Sequence, residues 1–399
     1  MPAHNGDSTV MSDGLRAALA VLLMLSAGSP AAAVTVPAEA IASFKAAPMP
    51  YRWPLWERFH DGFIQDDGRV IDWTADGRTV SEGQAYALFF ALIANDRDSF
   101  QRILRWTHRN LAGGDLRSQL PAWLWGRNKE QQSWGILDPN PASDADLFIA
   151  YALFEASRLW EVPDYEATAR ALLAQIRERE TMRAHERSVL LPGPAGFVSE
   201  DAVRLNPSYV PAFQFRYLAH RDPEGPWQAI LEEQARALST IAPNGLPPDW
   251  VRLGANGYAP DAETGTRGSY DAIRVFLWAA LRVPGLDALT TMRNALAPSL
   301  DIIRAHGRMP EHWDIASGAV SGDGPPGFQL VAATWMDSLG DLEGASAVAA
   351  IAQNARLGGL YGHPARYYDQ VLALFAQGYR QGRYRFDEVG RLLPEWGKK

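Results

Sequence analysis

The chain has 399 residues, a formal net charge of −8 and no cysteine. The acidic balance, with no run of lysine or arginine, argues against nucleic acid or an anionic membrane surface as partner and is indifferent to a neutral polymer. Without disulfides, stability must come from a large packed core, and 14 Trp and 13 Tyr supply rings both for that core and for a binding surface.

Residues 1–33 read as a secretory signal: Arg16 precedes the apolar run AALAVLLMLSA (17–27), and SPAAA (29–33) offers an Ala-x-Ala cleavage site. The run is short for a bilayer span, so the expectation is export to the periplasm or beyond. Residues 34–399 show no low-complexity linker and read as one domain.

Past the leader, apolar residues recur at helical spacing over 52–64, 81–95, 97–111, 144–160, 164–182, 207–219, 226–241, 269–281, 285–304, 327–339, 342–356 and 367–379. Strand signals are sparse. RVIDWTADGRTV (69–80) carries an Asp-Gly turn between β-prone runs, and GFVSEDAVRL (196–205) is a second hairpin candidate. The expected class is all-α. About a dozen helices of similar length, alternate ones more apolar, suit a closed toroid of paired helices, and an open helical array fits the same pattern.

Three acids sit where apolar helices begin: Glu82 in TVSEGQAYALFFAL (79–92), Asp144 in ASDADLFIAYALFEASRLW (142–160) and Asp271 in GSYDAIRVFLWAAL (268–281). Capping accounts for part of this. Thr79 with Glu82, and Ser81 with Gln84, both fit a capping box, and Ser143 with Asp146 fits a variant that leaves Asp144 unassigned. Asp271 follows Ser269, a candidate N-cap, with Arg274 one turn on to hold it by a charge-assisted bond. Glycoside hydrolysis gives a reason to gather carboxylates, since it needs a protonated acid on the leaving oxygen and a second carboxylate across the sugar. A close like charge raises one pKa, and Asp144 beside Glu82 is the expected source.

Aromatics in loops fit the same chemistry, because a ring face covers the C–H face of a pyranose. LPAWLWG (120–126) presents Trp123 and Trp125, and NPSYVP (206–211) presents Tyr209 between prolines. GDGPPG (322–327) matches a nucleotide-loop spacing but is expected to lack a preceding strand, and its prolines remove amides. The eight histidines make no ligand spacing, so neither a metal nor a cofactor is expected.

The runs SEGQAYAL, ASDADLFIAYALFEASRLW, NPSYVP and GSYDAIRVFLW, with WPLWERF (53–59), DGRVID (67–72), RYYDQVLALF (366–375) and RFDEVGRLLPEW (385–396), together resemble glycoside hydrolase family 8, most of all its periplasmic members encoded with bacterial cellulose synthase. The resemblance implies an (α/α)6 barrel with small β-hairpin insertions, and inverting hydrolysis of β-1,4-glycans. It implies Glu82 as general acid, Asp271 as general base and Asp144 as the carboxylate at the scissile sugar. It places Tyr270 and Arg274 beside the base, with Tyr209 and Trp123 or Trp125 lining sugar subsites. It also implies a cellulose chain as substrate and the cellulose synthase and export complex as a partner. Chitosan, xylan or mixed-linkage glucan are the alternative polymers. A non-catalytic glycan-binding component of the export apparatus is the alternative of another class, although such a component would be expected to lack one of the three acids. Phe148, an aromatic in an aliphatic stretch, is expected to pack without consequence.

Overall fold

A computed structural model describes residues 52–397, so the leader read at 1–33 lies outside the described residues. Thirteen α-helices occur in order among them: α1 Pro54–Phe63, α2 Ser81–Ile93, α3 Arg97–Asn110, α4 Ser143–Trp160, α5 Pro163–Arg179, α6 Ala212–Arg221, α7 Trp227–Ile241, α8 Ile273–Ala280, α9 Asp287–Leu296, α10 Ser299–His306, α11 Pro326–Ser338, α12 Leu342–Asn354 and α13 Tyr367–Arg380. None of them is long and apolar enough to cross a membrane.

Two kinds of helix alternate. α2, α4, α6, α8, α11 and α13 are buried on nearly every side, as apolar sequence all round a helix demands. The others bury one stripe; in α3 it is Ser99, Phe100, Ile103, Trp106 and Thr107, the spacing of one helical face. The buried six pack in sequence, α2 on α4, then α6, α8, α11 and α13. Phe375 of α13 closes the ring onto α2, its ring centroid 5.0 Å from Tyr86 and 4.6 Å from Phe90. The ring is therefore closed rather than an open array. It is an (α/α)6 barrel, with α9 and α10 sharing one outer position. The spacing at 285–304 reads as one helix, but Pro298 has no N–H to continue the ladder, and the chain breaks there.

Aromatic side chains fill the axis. Phe148 of α4 stands 5.9 Å from Phe89 of α2, 6.0 Å from Phe213 of α6, 5.7 Å from Trp278 of α8 and 5.9 Å from Phe375. Far from packing without consequence, Phe148 is the hub of the plug that joins five of the six inner helices.

The connections differ at the two ends. Those leaving the inner helices are short, at 94–96, 161–162, 222–226, 281–286 and 339–341. Those entering them run from 12 residues (355–366) to 32 (111–142 and 180–211) and hold nearly all the strands. The 69–80 hairpin forms only in part. Asp72 bridges Arg78 across the turn at Asp76–Gly77, but Thr79–Val80 pairs with Leu124 and Trp125 instead. Likewise Val198 bridges Val203, while Ala202–Leu205 takes Val251–Gly254 as its main partner. A strand, Val320–Asp323, does precede α11 at GDGPPG, contrary to the sequence expectation. It pairs antiparallel with Pro310–Asp314, and Pro325 and Pro326 still offer no amide at the helix start.

Candidate active site

All six inner helices begin at the long-loop end, and the first turns of α2, α4, α8 and α13, with the loops that lead into the helices, frame a cleft of about 370 Å³. At its floor lies one guanidinium. Arg274, in the first turn of α8 and only 3% exposed, donates from Nη1 to Glu82 Oε2 and from Nη2 to Asp271 Oδ1 at 2.9 Å. Asp144 Oδ2 stands 3.8 Å from the same Nη2. The three acids picked out at separate helix mouths thus converge on one cation. Ser208 fixes that cation from behind, its Oγ accepting from Arg274 Nε at 3.2 Å and Nη2 at 2.9 Å while donating to Asn206 Oδ1 at 2.7 Å.

Each acid reaches this point by a different local device, and none uses the capping boxes. Val80, not Thr79 or Ser81, occupies the N-cap of α2, and no side chain caps it. Thr79 Oγ1 donates to Val70 O at 2.6 Å, and Gln84 takes the Val70 amide at 2.6 Å, so one member of each candidate capping box serves the loop before the helix. Glu82 is left to point into the cleft. Gly83 beside it admits the Tyr367 hydroxyl, which would stand 2.9 Å from any Cβ there.

Asp144 lies in the first turn of α4 and accepts the Ala145 amide at 2.8 Å, so it does satisfy one helix-end donor. Asp146 is not the cap expected of it. It is fully buried and faces Glu180 just beyond α5, where burial pushes both carboxyls up, Glu180 to about 8.

Asp271 stands before α8 rather than in its first turn. Ser269 Oγ donates to Glu311 O and caps nothing. Asp249 performs the cap from 20 residues upstream, accepting the amides of Ser269, Asp271 and Ala272 at 2.8, 3.1 and 2.9 Å. Its loop packs closely on Gly268, where an added Cβ would fall 2.3 Å from Pro247 O.

The electrostatic environments differ. Burial raises Glu82, with Arg274 opposing and the Asp271 charge adding to the rise. Asp144 is pushed up to about 7, chiefly by burial, against Arg274 and with help from Glu82. Burial therefore outweighs the neighbouring-carboxylate effect expected from the sequence, and the like charge acting on Glu82 is that of Asp271. Side-chain exposure runs 5% for Asp144, 19% for Glu82 and 33% for Asp271. The last is the acid most open to water, and its Oδ2 accepts Trp250 Nε1 at 3.0 Å.

Trp123, Tyr209 and Tyr270 line the cleft, with Tyr367 and Tyr368. Tyr209 lies 5.7 Å from the Arg274 guanidinium, and the Tyr270 hydroxyl donates to Glu311 at 2.7 Å. Trp125 does not line it. That ring is stacked on Trp134 and met edge-on by Trp106, 5.3 Å from each, with Arg69 over its face at 4.3 Å. Strand alternation separates Trp123 from Trp125 only with the bulge between Ala122 and Trp125 taken into account. Asn206, Ser208, Asp249, Trp250, Tyr367 and Tyr368 were missed in the sequence. Of these, the Asn-Pro-Ser turn and the paired tyrosines at 367–368 carried a signal in the motifs already singled out, and Asp249 carried none.

The family described as glycosyl hydrolases family 8 matches residues 30–382. An endoglucanase of Xanthomonas axonopodis pv. citri (strain 306) is 42% identical over 346 residues, covering 86% of this chain and 89% of the relative. An endoglucanase of Escherichia coli (strain K12) is 39% identical over 389 residues, covering 96% and 98%. The crystal structure of an endo-1,4-D-glucanase from Vibrio fischeri ES114 superposes with a TM-score of 0.80 at 37% identity, covering 87% of this chain and all of that one.

Proposed function

The chain belongs to glycosyl hydrolases family 8, and from that premise we propose that it cleaves internal β-1,4 bonds of a glucan by inversion, with Glu82 as acid and Asp271 as base. The observation that carries the assignment is the convergence of Glu82, Asp144 and Asp271 on Arg274 within one aromatic-lined cleft.

Glu82 suits the acid because burial favours its protonated form, and Arg274 aims the carboxyl. Its proton goes to the glycosidic oxygen as the C–O bond breaks. A water attacks the anomeric carbon from the opposite face and gives its proton to Asp271, which has the greatest access to solvent of the three. Two N–H donors hold Asp271 in place. Asp144, held by Ala145 and facing the guanidinium, sits beside the sugar at the point of cleavage and orients it. Trp123, Tyr209 and Tyr270 supply ring faces along the chain. A neutral glucan also agrees with a binding surface in a chain of net charge −8.

The likeness to family members encoded with cellulose synthase supports cellulose as the polymer and its export as the setting. Adjacent cellulose synthase genes would support that setting, and their absence would count against it. For the chemistry, Glu82→Gln is expected to lower turnover of soluble carboxymethyl-cellulose by about a hundred- to ten-thousand-fold with an unchanged circular dichroism spectrum. Near-normal turnover would overturn the acid assignment. Reducing-end release from cellulose, chitosan, xylan and mixed-linkage glucan, compared side by side, tests the substrate, and faster cleavage of any of the other three would displace β-1,4-glucan.

A further inference from the structure

A second cavity, about 640 Å³, opens at the other end of the barrel, among the C-terminal turns of α8, α11 and α13 and the loop from Arg282 to Leu286. Four arginines line it, Arg282, Arg293, Arg380 and Arg385, against two aspartates, Asp287 and Asp337. Among the described residues only Arg380 has an acidic partner, Asp337 at 2.5 Å. Arg293 donates to Ser338 O, and Arg385 donates to the carbonyls of Tyr379 and Tyr384. Arginines at helix C-termini complement exposed carbonyls, which explains their gathering but leaves the charges of Arg293 and Arg385 without a carboxylate counter-ion among the described residues. The Arg282 guanidinium has no hydrogen-bond or carboxylate partner among the described residues, and burial, with the Arg282 charge adding to it, pulls the Arg293 pKa down.

The wall is also built rather than incidental. Tyr379 holds the Arg282 amide through its hydroxyl at 3.0 Å, and its ring carries the Arg385 guanidinium 4.3 Å above it. Each guanidinium has five N–H donors, so Arg282, Arg293 and Arg385 keep several in reserve. Planar forks of this kind match the oxygens of phosphate and carboxylate, and the volume is that of a small-molecule site.

We propose that this cavity binds a small soluble oxyanion, a phosphate ester or polycarboxylate, at the end of the barrel remote from the carboxylate cleft. The charges there do not select a neutral glucan, so the ligand is distinct from the substrate, and the two sites are separated by the length of the inner helices, about 20 Å for α13 at 1.5 Å per residue.

Calorimetric titration of the whole protein with sodium pyrophosphate, and separately with sodium citrate, at fixed ionic strength tests this. One saturable site is expected, and Arg282→Ser, in an exposed loop, is expected to weaken it by about tenfold while hydroxyethyl-cellulose turnover stays at the wild-type rate, which shows that the fold is intact. Saturable binding of pyrophosphate alone identifies a phosphate site, and of citrate alone a carboxylate site. No saturable heat with either anion, equal affinity in Arg282→Ser, or displacement of the anion by cellotetraose would each overturn the proposal.

Discussion

The Asp249 carboxylate accepts the backbone amide of Asp271 at 3.1 Å from 22 positions earlier in the chain. The same oxygen takes the amides of Ser269 and Ala272, so one buried side chain sets the path of the chain into α8. Asp249→Ala leaves those amides without an acceptor and lets Asp271 drift from Arg274 and Trp250. Turnover is expected to fall about tenfold to a hundredfold, with a smaller change in KM. Asp249→Asn keeps an acceptor and should recover part of the loss. Wild-type kcat in Asp249→Ala would show that the cap does not position the base.

Arg274 is bonded or close to three acids at once, and only a planar fork spans them. Arg274→Lys keeps the charge but gives up that span. Turnover is expected to drop by about a hundredfold through misplaced carboxylates, with little loss of melting temperature. Retention of activity within a few-fold would mean that charge alone suffices.

The raised Asp144 pKa has a consequence for stability with a definite sign. In the unfolded chain its carboxyl titrates near the ordinary 3.8, and in the folded protein at about 7. Between those values the folded state holds the extra proton, so stability falls as pH rises through this window and levels off above it. Glu82, also raised, acts in the same direction. Asp144→Asn cannot titrate, so its melting temperature should gain on the wild type as pH goes from 4 to 8. The gain is expected to be roughly 2–4 °C for each kcal/mol removed. A difference that stays constant with pH would exclude Asp144 as a source of the slope.

Phe148 touches rings from four other inner helices, and no water can fill the space it would leave on the axis. Phe148→Ala should cost about 3–5 kcal/mol in denaturant unfolding. A cost under about 1 kcal/mol would mean that the plug relaxes around the gap.

Periodicity located the helices because the inner ones are apolar throughout and the outer ones are striped, and both patterns are local. It misplaced the starts of α6 and α8, where Pro211 ends a single 3-10 turn at 207–209 and where Asp249 supplies the cap from elsewhere. Glu82, Asp144 and Asp271 were visible as charges at helix mouths, but their meeting at Arg274 depends on ring closure, which no spacing encodes. The capping boxes failed for the same reason. Thr79 and Gln84 spend their hydrogen bonds on Val70, a partner chosen by the tertiary path of the loop.

The unequal connections at the two ends of the barrel divide the labour of natural variation. Lengthening or reshaping a segment such as 111–142 or 180–211 alters what the cleft meets without moving the aromatic axis, since that axis is made wholly of helix residues. At the other end, turns as short as 161–162 leave no slack, and an insertion there must shift a helix. Lineages can thus diversify their choice of polymer on one face while their folding stability is inherited almost unchanged.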